Sequence, residues 1–382
     1  RTSVPVNSIV PAVDAERASG YRYSDRAYLV QLRRAGAGSA LIDPITAGPM
    51  DALAEALNPL EWVLHSADQD LPCLAELGLH PARLFDTELA GRLLALPKVN
   101  LAAMVEREFS LVLAKGHGAA DWSQRPLPDA WLTYAALDVE LLVELRDGLA
   151  EQLSDAGKDE WARQEFEHIR TAPPPPPRPD RWRRTSGIHK IRDRRTLAAV
   201  RALWSARDDL ARSLDRAPGR VLPDSAIVDA ATTDPATVEE LRALKVFGGP
   251  RQRRRSRLWL AALAEARELP ESALPPTKPS GGIPAPGRWS STKPEAAERL
   301  SAARDALAEI AEKYQVPAEN LLAPRVLKQL CWDGLEQNSA GDATSTTTVR
   351  IDGLLRDAGA RPWQRELVVP ALSAALDSIP AE

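Results

Sequence analysis

The sequence predicts an α/β domain followed by two small all-helical domains, and three observations carry that expectation. Up to about residue 170, short runs rich in Val, Ile and Leu alternate with segments of helical periodicity. Five consecutive prolines, from Pro173 to Pro177, then interrupt the chain. Beyond them only helical patterns recur, in two blocks separated by a second stretch rich in Pro and Gly.

The first domain is expected over 1–170, with strands in SIVPAVDAE, YLVQLRR, ALIDP and EWVLHSA. Helices are expected in MDALAEALN, DLPCLAELGL and ELAGRLLAL. From Asp129 to about Ala150, Leu, Ala and Val recur at spacings of three and four, which predicts one long helix. Interleaved strands and helices imply a mixed sheet with helices on its faces. The prolines favour a stiff extended spacer, so 171–193 reads as a Pro-rich, basic linker. Residues 194–270 form the first helical block: TLAAVRALWSARDDLARSLDR, PDSAIVDAA, TVEELRAL and, after the loop FGGP, RRSRLWLAALAEAREL. Asp224 and Asp234-Pro235 read as helix starts. A second linker spans 271–293, and 294–382 is helical again, led by PEAAERLSAARDALAEIAEKYQ. Helices of similar length and order in the two blocks suggest a duplicated module.

Length and composition set outer limits. At 382 residues, with 44% hydrophobic and 27% charged residues, the chain suits two or three ordinary globular domains. No apolar run of about 18 residues indicates a membrane span, and the start carries no secretory pattern. The first residue is not Met, which suggests a truncated or processed start. Cys73 and Cys331 stand far apart, against a disulfide framework or structural zinc, so a reducing cytoplasm is the expected location. The net charge of −4 is unevenly spread: residues 178–195 hold eight Lys or Arg against two Asp. Five more arginines, Arg251, Arg253, Arg254, Arg255 and Arg257, crowd one short segment.

Three short patterns carry chemistry. Residues two apart in a strand face one way, so Asp14 and Glu16 can share a cation; residues four apart in a helix stack, so Tyr134 sits over Asp138. Asp70 follows an apolar run in HSADQDL. Any one such acid alone reads as a solvated surface or cap residue. Jointly they end an apolar strand, open a helix and interrupt an apolar helix, where an unpaired charge is costly. Carboxylates without imidazole or thiolate suit hard cations, Mg²⁺ or Mn²⁺. Two such ions, about 3.5 to 4 Å apart, can hold the attacking water and leaving oxygen of a phosphodiester displacement. Asp14 is then the best bridging ligand, with Glu16, Asp70 and Asp138 completing the set and Tyr134 orienting the water.

The segments VDAERASGYRYSDRAYLVQL, HSADQDL, LFDTELAGRLL and DWSQRPLPDAWLTYAALDVELL resemble the successive motifs of the ribonuclease D family, the tyrosine-type branch of the four-carboxylate 3′-to-5′ exonucleases. That resemblance covers about residues 9–150. Residues 194–270 resemble an HRDC module, shared with RecQ-type helicases, and 294–380 resemble a further HRDC-like domain. It implies a ribonuclease H-like fold, divalent metals, and release of nucleoside 5′-monophosphates from a 3′ end. Asp14, Glu16, Asp70 and Asp138 match the family carboxylates and Tyr134 the family tyrosine. Ala15 stands where many relatives have Thr. Asp86 in FDT matches a recurring position, either near the metals or holding the chain by hydrogen bonds.

The implied partner is RNA, with tRNA precursors as the expected class, bound by a monomer. Trp182 with Arg183 and Arg184 either stacks on a base and meets phosphates or packs the linker onto a domain. Arg251, Arg253, Arg254 and Arg255, at a helix start, form either a phosphate site or a balancing charged face. Arg125 is expected to face substrate. Lys115, Gly116 and Gly118 do not form a phosphate-binding loop. A DNA exonuclease and an inactive nucleic-acid-binding scaffold are the competing readings.

Overall fold

The computed structural model describes residues 10–113, 116–174, 176, 178–278, 282–334 and 346–379. Lys115 and part of the proline run therefore lie outside the described residues.

Five strands form one mixed sheet: β1 (Pro11–Arg17), β2 (Ala27–Arg34), β3 (Gly38–Ile42), β4 (Glu61–Leu64) and β5 (Arg83–Asp86), in the order β3-β2-β1-β4-β5. β1 pairs antiparallel with β2 and parallel with β4, and β4 is parallel to β5. The carboxyl ends of β1, β4 and β5 thus open on one rim, where such sheets place ligands. Asp14 lies opposite Gln31 of β2 and Glu16 opposite Leu29.

The helices around this sheet are α1 (Asp51–Leu57), α2 (Leu71–Ala75), α3 (Thr87–Leu93), α4 (Leu101–Phe109), α5 (Asp129–Glu140), α6 (Leu142–Asp155) and α7 (Asp159–Thr171). α5 lies across β1, β2 and β3, while α6 and α7 cover β4 and β5. The single long helix expected from Asp129 is two, because Leu141 (φ −116°, ψ 6°) breaks it. Asp138 consequently sits in the last turn of α5.

The first helical module contains α8 (Arg194–Ser213), α9 (Pro218–Val221), α10 (Asp224–Thr233), α11 (Val238–Ala243), α12 (Pro250–Arg253) and α13 (Ser256–Glu268). Asp234 ends α10 in a left-handed conformation (φ 50°), and the helix start assigned to it belongs to Thr237, whose hydroxyl caps Glu240 N–H. The last module contains α14 (Trp289–Thr292), α15 (Pro294–Tyr314), α16 (Ala318–Leu321), α17 (Pro324–Asp333), α18 (Thr347–Asp357) and α19 (Pro362–Asp377). Helices of 20, 4 and 10 residues open one module and, after α14, helices of 21, 4 and 10 residues run through the other. The duplication is therefore architectural. Among the described residues, no helix is long and apolar enough to cross a membrane.

The modules attach differently. The last one shares a continuous core with the sheet domain, whereas the first has its own, built on Trp182, Phe247 and Trp259. Lys158 is buried at the shared seam and donates to the Leu93 and Gln315 carbonyls (2.7 and 2.9 Å). The first module instead grips the loop after β1 through polar contacts. Ala217 N–H donates to the Tyr21 carbonyl (2.9 Å), Ser24 N–H to Asp215 (2.9 Å), and the Tyr23 hydroxyl to Asp208 (3.0 Å).

Candidate active site

β1, the central strand, presents Asp14 and Glu16 on one face, and α5 lays Asp138 against them. The three carboxylates offer oxygens that all lie within 4.8 Å of one another. Asp70, at the N-terminus of α2, joins from the β4 side: its carboxyl is hydrogen-bonded to Asp14 and lies 3.8 Å from the Arg17 guanidinium. The four acids expected from sequence therefore converge.

Their electrostatics are those of crowded, dehydrated anions. Burial, then the Asp14, Asp138 and Asp70 charges, pushes Glu16 up to about 9. Asp138 is pushed up to about 7, first by burial and then by Asp14. Burial likewise raises Asp14, and holds Asp70 well above the carboxylate range. Among the described residues, Arg17 is the cation that opposes these shifts. The Tyr134 hydroxyl donates to Asp138, and burial together with that neighbour raises the phenol above its ordinary 10. The loop before α5 packs on this tyrosine, with the His117 ring edge-on at 5.9 Å.

Asp86 takes the chain-holding role of its two readings. It accepts from the backbone N–H groups of Ala67 (2.8 Å), Glu88 (2.8 Å), Leu89 (3.1 Å) and Ser66 (3.3 Å). Those bonds cap α3 and pin the left-handed Ser66 (φ 60°) at the turn that leads to Asp70. Burial pushes Asp86 up to about 6 against those four donors.

Two expectations about binding residues are corrected. Arg125 does not offer its guanidinium to a ligand: it donates to both Asp43 oxygens (2.7 Å each) and to the Trp122, Gln124 and Tyr28 carbonyls. Trp182 is 4% exposed, buried in the first module's core with Arg183 over its ring at 4.3 Å, so neither is free to stack on a base. Arg183 also donates to Asp180 and to the Pro276 carbonyl. Arg184 stays exposed. Arg251, Arg253 and Arg254 are exposed, Arg255 half-buried, and none of their guanidinium groups has a hydrogen-bond or ion-pair partner among the described residues. Arg251 and Arg253 project from α12 and Arg254 and Arg255 from the turn after it, where buried Gln252 anchors the segment, donating to the Val221 carbonyl (2.6 Å) and accepting from Trp259 (3.0 Å).

Sequence reasoning missed Gln31. It is fully buried, opposite Asp14, and both its amide atoms lack a partner among the described residues. A glutamine inside the apolar run YLVQL was the available signal.

Three family models match the chain: a 3′-5′ exonuclease over residues 6–154, an HRDC domain over 196–263, and a 3′ to 5′ exonuclease C-terminal domain over 282–376. Ribonuclease D of Jannaschia sp. is 30% identical over 276 residues, 69% of this chain and 70% of that protein. Ribonuclease D of Acidiphilium cryptum is 31% identical over 308 residues, 76% of each. Among solved structures, a protein from Bifidobacterium adolescentis superposes with a TM-score of 0.86 at 37% identity, covering 97% of this chain and 92% of its own. Escherichia coli RNase D, described as an exoribonuclease involved in structured RNA processing, superposes with a TM-score of 0.68 at 25% identity, covering 98% and 95%.

Proposed function

Because the chain belongs to the ribonuclease D family and is a hydrolytic 3′-to-5′ exonuclease, we propose that it trims RNA from the 3′ end, releasing nucleoside 5′-monophosphates, with tRNA precursors and other structured RNA as substrates. The observation that carries the reading is the convergence of Asp14, Glu16 and Asp138 within 4.8 Å, joined by Asp70, with burial and mutual charge raising their pKa values.

The donor set fits two divalent cations, Mg²⁺ or Mn²⁺. It is all oxygen, partly dehydrated, and carries more negative charge than Arg17 can balance. Asp14, Glu16, Asp70 and Asp138 would hold the cations, with Asp14 as the central ligand and Glu16 toward the attacking water. When bound there, such cations supply Lewis acidity toward water and neutralise phosphoryl charge. The chain's own contribution is placement. Tyr134 keeps its proton at neutral pH, so it orients the attacking water by hydrogen bonding and does not remove the proton. Its bond to Asp138 keeps the hydroxyl beside the acids. Arg184, Arg251, Arg253, Arg254 and Arg255 draw the RNA backbone toward the sheet domain.

The test uses matched RNA and DNA labelled at the 3′ or the 5′ end, incubated with Mg²⁺, Mn²⁺ or chelator. Expected is loss of the 3′ label as mononucleotide, prevented by chelator and by Asp14→Asn or Asp138→Asn. Metal-independent binding without cleavage would overturn the reading. Faster loss from DNA than from RNA would move the substrate assignment.

A further inference from the structure

We propose that Gln31 is a positioning residue for the cation site, its amide N–H groups holding the Asp14 carboxylate in its ligand geometry.

The placement follows from the strand register. Residues directly opposite in an antiparallel pair project to the same face, with Cβ atoms about 4.5–5.5 Å apart. Gln31 is opposite Asp14, so it stands on the Asp14 face of β2. Its neighbours on that face identify what it points at. Leu29 packs in one cluster with Trp131 and Ala135 of α5, and Arg33 donates to the Glu140 carbonyl (3.0 Å) at the end of α5. Gln31 lies between them on β2, beside Asp14 and under α5, the helix that brings in Asp138.

Its isolation has a cost that the fold does not otherwise require. The side chain is 0% exposed, and neither its nitrogen nor its oxygen has a partner among the described residues. A buried, unpaired amide opposes folding, and an apolar residue of the same shape would not. Asp14 is engaged with Asp70 and the Ala15 amide. Across the strand pair, the Gln31 amide is the buried neutral donor beside its carboxyl group, placed to meet a further oxygen lone pair. Groups that hydrogen-bond a ligand carboxylate in this way tune metal affinity by about 10–100-fold. The inference rests on the cation-site reading given under Proposed function.

The experiment pairs two measurements on the full chain carrying Gln31→Met or Gln31→Leu: Mn²⁺ affinity by calorimetric titration, and the melting temperature without metal. Mn²⁺ binding is expected to weaken about tenfold or more, with kcat reduced and KM for RNA unchanged. The metal-free melting temperature is expected to stay level or rise, since an unpaired amide has been removed. Two results would overturn the role: wild-type Mn²⁺ affinity in both variants, or a lowered metal-free melting temperature with affinity unchanged, which marks an ordinary structural amide. Absence of Mn²⁺ binding by the wild-type chain would instead reject the cation site itself, and Gln31 with it.

Discussion

Glu165 and the acids around Asp14 are both enclosed by protein, but they are treated in opposite ways. Glu165, 4% exposed, receives both arms of Arg361 (2.7 Å each) and the Trp363 indole N–H (2.8 Å). This set ties α7 to α19, beside the stacked Trp161 and Trp363 rings (4.9 Å). Asp14, Glu16, Asp70 and Asp138 have each other and the more distant Arg17 at 3.8 Å from Asp70. A buried acid supplied with its counter-charge is part of the architecture. Acids gathered with only a distant one suit, on the proposed reading, the recruitment of charge from solution.

Substitution should separate the two sets most sharply in activity. Asp138→Asn removes a proposed ligand and a crowded anion together, so 3′-end release should fall by about 10³-fold or more. The metal-free melting temperature should hold or increase. Glu165→Gln should show the reverse pattern, with a lower melting temperature and near-normal release at low temperature. Similar stability losses in both variants would erase the distinction.

The next effect in size is on stability alone. Arg361→Ala strands Glu165 without its counter-ion, and the cost is expected at about 3 kcal/mol in denaturant unfolding. Mn²⁺ affinity should not change, because Arg361 is attached to the seam of the last module and not to the sheet rim. Loss of Mn²⁺ binding in this variant would show that the seam and the site are coupled.

A smaller effect is expected at the arginines. Arg253→Glu with Arg254→Glu should weaken RNA binding about tenfold and flatten its salt dependence, leaving release from a dinucleotide unchanged. An unaltered salt slope would assign α12 to a balancing charged face.

The acids were legible in the sequence because strand and helix periodicity fix which side chains share a face, whatever the tertiary packing. The order of strands and helices was largely legible for the same reason. β5 was not read as a strand, because Arg83–Asp86 sets only two apolar residues between an Arg and an Asp, whereas the equally short β4 carries the apolar run Trp62–Leu64. The break at Leu141 was hidden within an apolar run that continues through it. Arginine roles were the least legible: sequence displays charge but not partners, so Arg125 and Arg183 looked like free cations although their donors are used within the chain. Gln31 shows the converse, a polar residue whose meaning depends on what lies across the strand.

The most direct measurement of the central claim is the melting temperature of the chain from pH 6.5 to 9, with chelator and with Mg²⁺. In the unfolded chain a glutamate ionises near 4.5, whereas the folded, metal-free chain holds the Glu16 proton to about 9 and that of Asp138 to about 7. The folded state therefore binds more protons across this range, and its stability must fall as pH rises. His65, held by burial at about 4 against an ordinary 6.5, has the opposite sign, and only the upper tail of its contribution reaches into this window. The expected result is a fall of about 3–6 °C with chelator, abolished by Mg²⁺ and reduced in Glu16→Gln. A profile that is flat in chelator and indifferent to Mg²⁺ would contradict the claim that these acids are gathered to hold a cation.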